Sequence, residues 1–293
     1  MNLALTVLEI VSPVFLLAAI GFAWVRCGLE YRLQFVTQLA MTLSLPCLIF
    51  VSLMETEIDP DALTALSLAS AVAYGAVTAA VLFLVKALRL DSRTFTSPLI
   101  FGNTGNLGLP LALFAFGNEG LSCAIIVFAV MLIWNFTFGI WTVAGRGSGM
   151  RILREPLFGG TVLGLLFMWQ GWRTPEFLTN TLSLVGQIGI PLMLITLGVA
   201  VARLRAGGML RAAVLSAVKL ILCTAIAWAA GRWFDLDPVA FAVLVLQIAT
   251  PVAVTSYMLA EKYGAKADDV AGLVVSSTLM SVAALPVLLA VLL

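Results

Sequence analysis

The stretch SPLIFGNTGNLGLPLALFAFGNEG (residues 97–120) has the length and apolar character of a membrane span, but its centre is polar and irregular. Asn103 and Asn106 stand among three glycines, and Pro110 follows them. In lipid, every backbone polar group must be hydrogen-bonded within the protein. Glycine and proline in the middle of a helix make a regular pattern of backbone hydrogen bonds harder to maintain. The stretch therefore predicts a transmembrane helix that is broken for a functional reason.

Composition places the whole chain in the membrane. Of its 293 residues, 62% are hydrophobic and 11% are charged, and the mean hydropathy is +1.10. A soluble domain carries about 25% charged residues, so the composition predicts an all-α integral membrane protein with the lipid bilayer as its solvent. The net charge of +1 argues against a nucleic-acid partner. The chain has no histidine and its four cysteines are scattered without a CxxC pair, so we expect no metal site and no cofactor.

Cutting the chain at its charged and turn-rich positions predicts ten spans of about 20 residues each. The predicted limits are 3–25, 33–54, 62–88, 94–116, 121–144, 155–171, 177–202, 209–231, 237–260 and 268–293. The first span has no basic leader before its apolar run and is therefore predicted to be a retained helix.

The distribution of basic residues predicts the orientation. With the N-terminus outside, the inside loops carry 13 basic residues, and the outside loops carry only Arg173 and Arg232. The acidic loop METEIDPDA (residues 54–62) then falls outside. An excess of Lys and Arg on the inner side is the rule for membrane proteins. We therefore expect both termini outside.

The chain also repeats itself with a period of about half its length. The matched landmarks are Pro46 with Pro191, Asp91 with Asp237, and Pro110 with Pro251, at offsets of 145, 146 and 141 residues. They predict two five-helix repeats, 1–147 and 148–293. Because five is odd, the second repeat enters the membrane from the opposite side. Inverted repeats with interrupted helices in matching positions are typical of secondary transporters whose site lies at the bilayer midplane.

The fourth and ninth spans are the predicted interrupted helices, and we expect them to cross. Pro110 and Pro251 lack an N–H, which deprives the carbonyls of Asn106 and Gln247 of their helical partners. The chain is predicted to unwind near residues 103–109 and 247–250 and to restart as a half-helix after each proline.

Two positive helix ends would then face one point, where backbone N–H groups can hold a carboxylate. Asn103 and Asn106 would add their amides, Gly105 would permit the unwound backbone, and Thr250 would cap the second half-helix. Close helix packing is the alternative interpretation of the small residues. The matching break in the ninth span favours a binding site.

Two ionisable residues lie inside predicted spans, where such groups are functional candidates. Lys219 has two interpretations: its side chain extends to the inner surface, or it faces the transport core as a fixed cation, where related folds place sodium. Glu9 in the first span is either interfacial, which we favour, or a proton carrier. An enzyme is not expected, because the chain has no histidine, no paired acids within spans and no phosphate-binding GxxxxGK[ST] motif. An ion channel remains an alternative to a carrier.

Three motifs carry a resemblance to a known family: GNTGNLGLPL (102–111), IATPVAVTSYMLAEKYG (248–264) and VVSSTLMSVAALPVLL (274–289). They resemble the auxin efflux carrier family, which comprises the PIN-like carriers and their bacterial members, and the resemblance covers essentially the whole chain. It implies a scaffold part of helices 1, 2, 6 and 7 and a transport part of helices 3–5 and 8–10 that moves in an elevator-like manner. It also implies a homodimer through the scaffold and, for a bacterial-type member, the inner membrane with both termini on the periplasmic side.

The resemblance further implies the substrate and two of its ligands. Members of the family move organic acid anions, including auxin in plants and dicarboxylates such as malate or malonate in some bacteria. The binding asparagine of the family falls on Asn103, and Asn135 matches a polar position of the fifth helix. A sodium-coupled carrier of the bile-acid-symporter type is the alternative. Its sodium ligands would be backbone carbonyls with Ser256, Thr255 and Thr278, since no acid lies near the predicted crossing.

Overall fold

A computed structural model describes residues 3–55, 60–144, 156–204 and 208–293. These residues form helices and short connections, with no β-strand beyond one isolated backbone bridge. Seven helical segments among them are long and apolar enough to cross a membrane. The prediction of an all-α membrane protein is therefore confirmed. The predicted inside-facing residues Arg146, Arg151, Arg154 and Arg205 lie outside the described residues.

In chain order the helices are α1 (Leu3–Arg26), α2 (Leu33–Leu39), α3 (Leu45–Glu55), α4 (Pro60–Ala87), α5 (Ser92–Ile100), α6 (Leu109–Trp134), α7 (Ile140–Ala144), α8 (Pro156–Gln170), α9 (Glu176–Gln187), α10 (Gly189–Arg203), α11 (Met209–Trp233), α12 (Pro238–Ile248), α13 (Val254–Lys262) and α14 (Ala267–Leu292). Wider π-helical segments at Ala40–Ser44, Thr104–Gly108 and Asn135–Gly139 join some of them. The helices fall within a few residues of the predicted spans, while the count of ten spans and the inverted repeat remain predictions.

The first helix break lies earlier than the sequence predicts. Helix α5 ends at Ile100, the backbone of Phe101 is extended (φ −93°, ψ 122°), and Asn103 is also non-helical. Residues 104–108, predicted to be unwound, are wound as a π-helix that leads into α6. Pro110 therefore follows the π-helical turn in the first turn of α6, where its missing N–H leaves one carbonyl of that turn without a backbone donor.

The second break lies later than predicted. Helix α12 continues through Gln247 to Ile248, and α13 begins at Val254 after an extended Ala253 (φ −67°, ψ 137°). Pro251 thus stands inside the break and does not begin the second half-helix. Proline disfavours helical backbone at the residue before it, which accounts for a break around Pro251 more directly than loss of one hydrogen bond does.

The two breaks touch each other through their backbones. Gly102 and Val252 form an antiparallel bridge, and the N–H of Asn103 donates to the carbonyl of Pro251 at 2.7 Å. The approach requires glycine: a Cβ on Gly102 would overlap the Thr250 hydroxyl and lie 2.9 Å from the Thr250 carbonyl oxygen. The broken helices therefore cross at residues 102–103 and 251–252, buried within the protein.

Helix α6 reverses direction at Gly117, whose backbone (φ 64°, ψ −151°) is not helical. A Cβ on Gly120 would lie 2.6 Å from the carbonyl oxygen of Ala112, eight residues earlier. A straight helix would separate these residues by about 12 Å. The chain therefore folds back at Gly117 and crosses the molecule a second time.

Close helix pairs are built on glycine elsewhere as well. A Cβ on Gly198 of α10 would overlap the carbonyl of Ala18 in α1, and one on Gly160 of α8 would lie 2.7 Å from the carbonyl of Pro46 in α3. Small residues let membrane helices approach until their backbones are in van der Waals contact. Helices α1 and α10, and α3 and α8, therefore form two closely packed pairs.

Candidate functional site

Asn103 joins the two breaks through its backbone, and its side-chain nitrogen has no partner among the described residues. Its N–H donates to Pro251, and its carbonyl accepts from Leu107 at 3.1 Å and Gly108 at 3.2 Å, which begins the π-helix. The side chain is 5% exposed, and its Nδ2 has no hydrogen-bond partner among the described residues. The hydroxyl of Thr104 is also buried and has no partner in the part of the chain that the structure describes. The crossing thus holds polar groups that the fold itself does not satisfy.

Gln247 lies in the last turn of α12, against the π-helix of the other break. Its side chain is fully buried, and neither Nε2 nor Oε1 has a partner within the described chain. A Cβ on Gly108 would overlap Oε1, so this glycine makes room for the amide. The backbone carbonyl of Gln247, predicted to be orphaned, accepts from the Thr250 hydroxyl at 2.6 Å. The predicted capping role of Thr250 is therefore wrong, and Ala253 is the N-cap of α13.

The other predicted residues of the first break have different surroundings. Gly105 faces Phe128 of α6 and Met193 of α10, whose atoms would lie 3.2 and 3.7 Å from an added Cβ. Asn106 is partly exposed, whereas Pro110 is buried. The π-helix is therefore packed between α6 and α10, with Asn106 its most accessible side chain.

Asn135 begins the π-helical segment that follows α6. A Cβ on Gly139 would overlap its Oδ1 and lie 2.7 Å from the ring of Phe101 in the first break. The Oδ1 of Asn135 also has no partner among the described residues. The structure thus places Asn135 beside the first break, on the side where Phe101 lies.

Lys219 points into the protein and not to its surface. The residue is 3% exposed, and its Nζ donates to the carbonyl of Thr250 in the second break at 2.9 Å. Hydroxyls of Ser216, Ser277 and Ser281 line the small space around it. In this position the side chain does not extend to the membrane surface. Of the two interpretations given above, the one that remains is a fixed cation beside the crossing.

Glu9 is not part of this cluster. It is exposed on α1, on the same face as the exposed Leu5 and Leu8. Helix α1 packs mainly against α10. The structure therefore offers no contact that would give Glu9 a role at the crossing.

Two residues at the crossing are absent from the sequence prediction. Tyr74 of α4 is 1% exposed, stacks on Phe101 at 6.4 Å between ring centroids, and has an unpartnered hydroxyl among the described residues. Ser277 of α14 accepts from the backbone N–H of Val252 at 2.9 Å. Ser277 stands in the run SSTLMS, within one of the motifs that carry the family resemblance. That motif could have marked Ser277 as a candidate site residue. Tyr74 stands in an ordinary apolar span, and nothing local marks it.

A cavity of about 1010 Å³ lies between α3, α9 and α10 on one side and α6 on the other. Glu55, Glu119 and Asp237 line it at the end of the helices predicted to be outside, and Pro191 is among its apolar lining residues. None of the predicted binding residues lines it. The predicted binding residues therefore stand outside the walls of this cavity. No group of three or more Cys, Asp or Glu side chains in the described parts of the chain is placed to hold a metal ion.

A helical membrane protein with two broken helices that meet inside it, and with unsatisfied amides at their contact, has the architecture of a membrane transporter. The sequence profile of the membrane transport protein family matches the chain twice, over residues 6–152 and 143–289. The chain therefore belongs to this family, and the resemblance to auxin efflux carriers is confirmed. Two successive matches of one profile also fit a chain built from two repeats.

Archaeal proteins are similar to the chain along much of its length. An uncharacterized transporter of Methanothermobacter thermautotrophicus is 25% identical over 292 residues, which cover 95% of this chain and 96% of that protein. An uncharacterized transporter of Methanocaldococcus jannaschii is 27% identical over 178 residues, and there the chain spans 56% of that protein's length. Both relatives are transporters by name, and neither name states a substrate.

Proposed function

We propose that the protein is a secondary carrier that moves small carboxylate anions across the membrane by alternating access. The site lies where the two breaks cross, and the carboxylate binds Asn103 and Gln247, with Asn106 and Asn135 at its margin. No nucleic acid, cofactor or enzymatic step belongs to this function. The 13-to-2 distribution of basic residues supports the outside position of both termini. The bacterial inner membrane rests on the family resemblance alone.

The observation that carries the proposal is the set of unsatisfied amide groups at the crossing. Asn103 is 5% exposed and Gln247 is fully buried, yet three of their side-chain polar atoms have no partner among the described residues. A buried polar group without a hydrogen bond costs about 1–3 kcal/mol, and a carboxylate that accepts from Asn103 Nδ2 and Gln247 Nε2 would recover this cost at two of the three atoms. Amide N–H groups are donors suited to carboxylate oxygens.

Electrostatics at the crossing favours an anion. Helix α6 and its preceding π-helix, and helix α13, both begin at the crossing and direct the positive ends of their dipoles towards it. The ammonium of Lys219 lies on the other side of the Thr250 carbonyl. The structure places no carboxylate of the described residues at this point. The C-terminal ends of α5 and α12 also lie at the crossing and oppose an anion, so the favourable potential comes from the two helix starts and from Lys219.

The elevator-like movement and the division into scaffold and transport parts also belong to the proposal. The glycine-mediated pairs α1–α10 and α3–α8 lie within the proposed scaffold of helices 1, 2, 6 and 7. The contacts of Lys219 with Thr250, of Arg211 with Asp269, and of Trp134 with Thr78 lie within the proposed transport part. This grouping supports two bodies that move against each other. A homodimer through the scaffold rests on the family resemblance alone.

The proposal is tested by transport in proteoliposomes. Purified protein is assayed for counterflow of labelled acetate, malonate, malate and indole-3-acetate, with the Asn103→Ala variant beside the exposed control Asn180→Ala. We expect saturable counterflow with wild type and the control, and a loss of at least tenfold with Asn103→Ala at normal membrane insertion. Unchanged transport by Asn103→Ala would contradict the proposed binding site. Ohmic single-channel currents would indicate a channel.

Replacing sodium by choline in the same assay tests the alternative of a sodium-coupled symporter. Ser256 is buried and the hydroxyl of Thr278 has no partner among the described residues, whereas Thr255 is exposed. The residues suggested as sodium ligands are thus not equally placed to bind one ion. We expect transport to persist in choline, and its collapse would favour the symporter.

A further inference from the structure

Lys219 is a buried cation without a carboxylate partner among the described residues. Its side chain is 3% exposed in the middle of α11, and its ammonium donates to the backbone carbonyl of Thr250. The small space that Lys219 lines is bordered by neutral residues, and their polar side chains include those of Ser216, Ser277 and Ser281. An isolated charge in a low-dielectric interior is costly unless another charge compensates it. The described fold supplies oxygen dipoles, including the C-terminal end of α12, but no negative charge.

The acids of the proposed transport part stand away from Lys219. Those in the described residues occupy connections, terminal turns of helices or the reversal of α6: Asp61, Asp91, Glu119, Asp235, Asp237, Glu261, Asp268 and Asp269. One of them, Asp269, already pairs with Arg211 at 2.7 Å. The described part of the chain thus carries an uncompensated positive charge beside its candidate site.

The backbone connects this charge to the amide site in two short steps. Lys219 binds the carbonyl of Thr250, and the carbonyl of the next residue, Pro251, accepts from the N–H of Asn103. Gly102 lies directly against Thr250, so the two sides of the crossing are separated by the crossed backbones themselves. An anion bound to the Asn103 amide would be near enough to compensate the ammonium.

We propose that Lys219 is the fixed counter-charge of the transported anion, so that the site selects singly charged carboxylates and, when loaded, crosses the membrane without net charge. This inference rests on the proposed function. A monocarboxylate brings one negative charge and cancels the charge of Lys219. A dicarboxylate leaves one negative charge in excess inside the membrane, which penalises both its binding and its movement.

The first test is selectivity between two four-carbon acids, butyrate and succinate, measured as binding to the purified protein by thermal shift. We expect wild type to bind butyrate at least tenfold more tightly than succinate, and Lys219→Met to lose at least tenfold in butyrate affinity. Lys86→Met removes an exposed lysine and should leave both affinities unchanged. Succinate bound as tightly as butyrate by wild type would overturn the inference.

The second test measures the charge that moves with the substrate. Its main measurement uses the wild-type protein, so its result does not depend on whether a variant folds. Counterflow of labelled butyrate is measured with and without a potassium diffusion potential of about 100 mV. A full charge that crosses the membrane would redistribute by up to about fiftyfold at this potential. We expect wild-type counterflow to change less than twofold, and that of Lys219→Met to change several-fold. Lys219→Arg, which keeps the charge, should behave like wild type.

The two proposals fail in different ways. If no carboxylate binds or exchanges, the proposed function fails, and the inference fails with it. If butyrate exchanges and Asn103→Ala abolishes the exchange, the proposed function stands. In that case, strongly voltage-dependent butyrate counterflow by wild type would overturn only the role of Lys219 as counter-charge.

Discussion

At the scale of single residues, the side-chain amide of Gln247 is the group that the described fold leaves least satisfied. It is fully buried, and both its nitrogen and its oxygen lack partners in the described chain. Gly108 leaves room for this amide, but glycine has no side chain that could form a hydrogen bond with it. Natural proteins keep such costly groups where removing them would sacrifice activity.

Gln247→Leu should therefore separate stability from transport. Leucine fills a similar volume and removes two unsatisfied polar atoms, so we expect the free energy of unfolding without substrate to rise by about 1–3 kcal/mol. Transport should fall at least tenfold, because the carboxylate loses a donor. Thermal unfolding in detergent and counterflow in proteoliposomes measure the two effects. Gln170→Leu, at the exposed end of α8, is the matched control and should change neither. A stable variant with full transport would exclude Gln247 from the site.

At the scale of helices, the structure moves both breaks away from the positions that the prolines suggest. The first lies at residues 101–103, where Gly102 lets another backbone approach, and Pro110 is seven residues beyond Asn103 in an intact first turn. Proline at that place is compatible with a regular helix. The close approach of two chain segments, and not the missing N–H of Pro110, maintains the first break.

Pro110→Ala should for this reason reduce transport only slightly. From the sequence alone, the same substitution is expected to make the helix regular and to impair transport. We expect it to retain at least half of wild-type counterflow, because α6 keeps its start at Leu109. Gly102→Ala should lose at least tenfold, because its Cβ overlaps Thr250. Gly75→Ala, where an added Cβ meets nothing within 4 Å, controls for the substitution itself. Transport lost with Pro110→Ala and kept with Gly102→Ala would reverse this assignment.

At the scale of the whole molecule, Ser52 of α3 and Ser122 of α6 connect the proposed scaffold to the proposed transport part. Their hydroxyl oxygens are 3.2 Å apart in the wall of the large cavity. Movement of one part against the other would have to separate them. They therefore offer a direct test of that movement.

A disulfide between these positions should stop transport. In a background with Cys27, Cys47, Cys123 and Cys223 replaced by serine, we expect oxidised Ser52→Cys/Ser122→Cys to lose counterflow and to regain it after reduction. The control pair, Thr174→Cys/Thr179→Cys, joins hydroxyls 2.6 Å apart within the proposed scaffold and should have no effect. Full counterflow by a completely cross-linked Ser52–Ser122 protein would refute movement at this boundary.

Much of the architecture was predictable, because it depends on local properties of the chain. Apolar runs of membrane length indicated the helices, and the turn at Gly117 fell between two predicted spans. The amide of Asn103 and the pairing of two broken helices were also predictable, since lipid seldom tolerates amides, glycines and prolines together in one helix unless the surrounding protein uses them. The exact residues at which the two helices unwind were not predictable. A proline restricts several neighbouring residues, and its position alone does not determine which of them leaves the helix.

The sequence by itself determined that this chain is a helical membrane transporter of its family with two interrupted helices, because hydrophobic length and helix-breaking residues act over a few neighbouring positions. Only the tertiary structure decided that Gly102 meets Val252, that Gln247 lies against Gly108, and that Lys219 turns inward to Thr250. The partners in the first two of these contacts are well over a hundred residues apart in the chain. Which distant side chains meet depends on how all the helices pack together, and no local pattern encodes that arrangement.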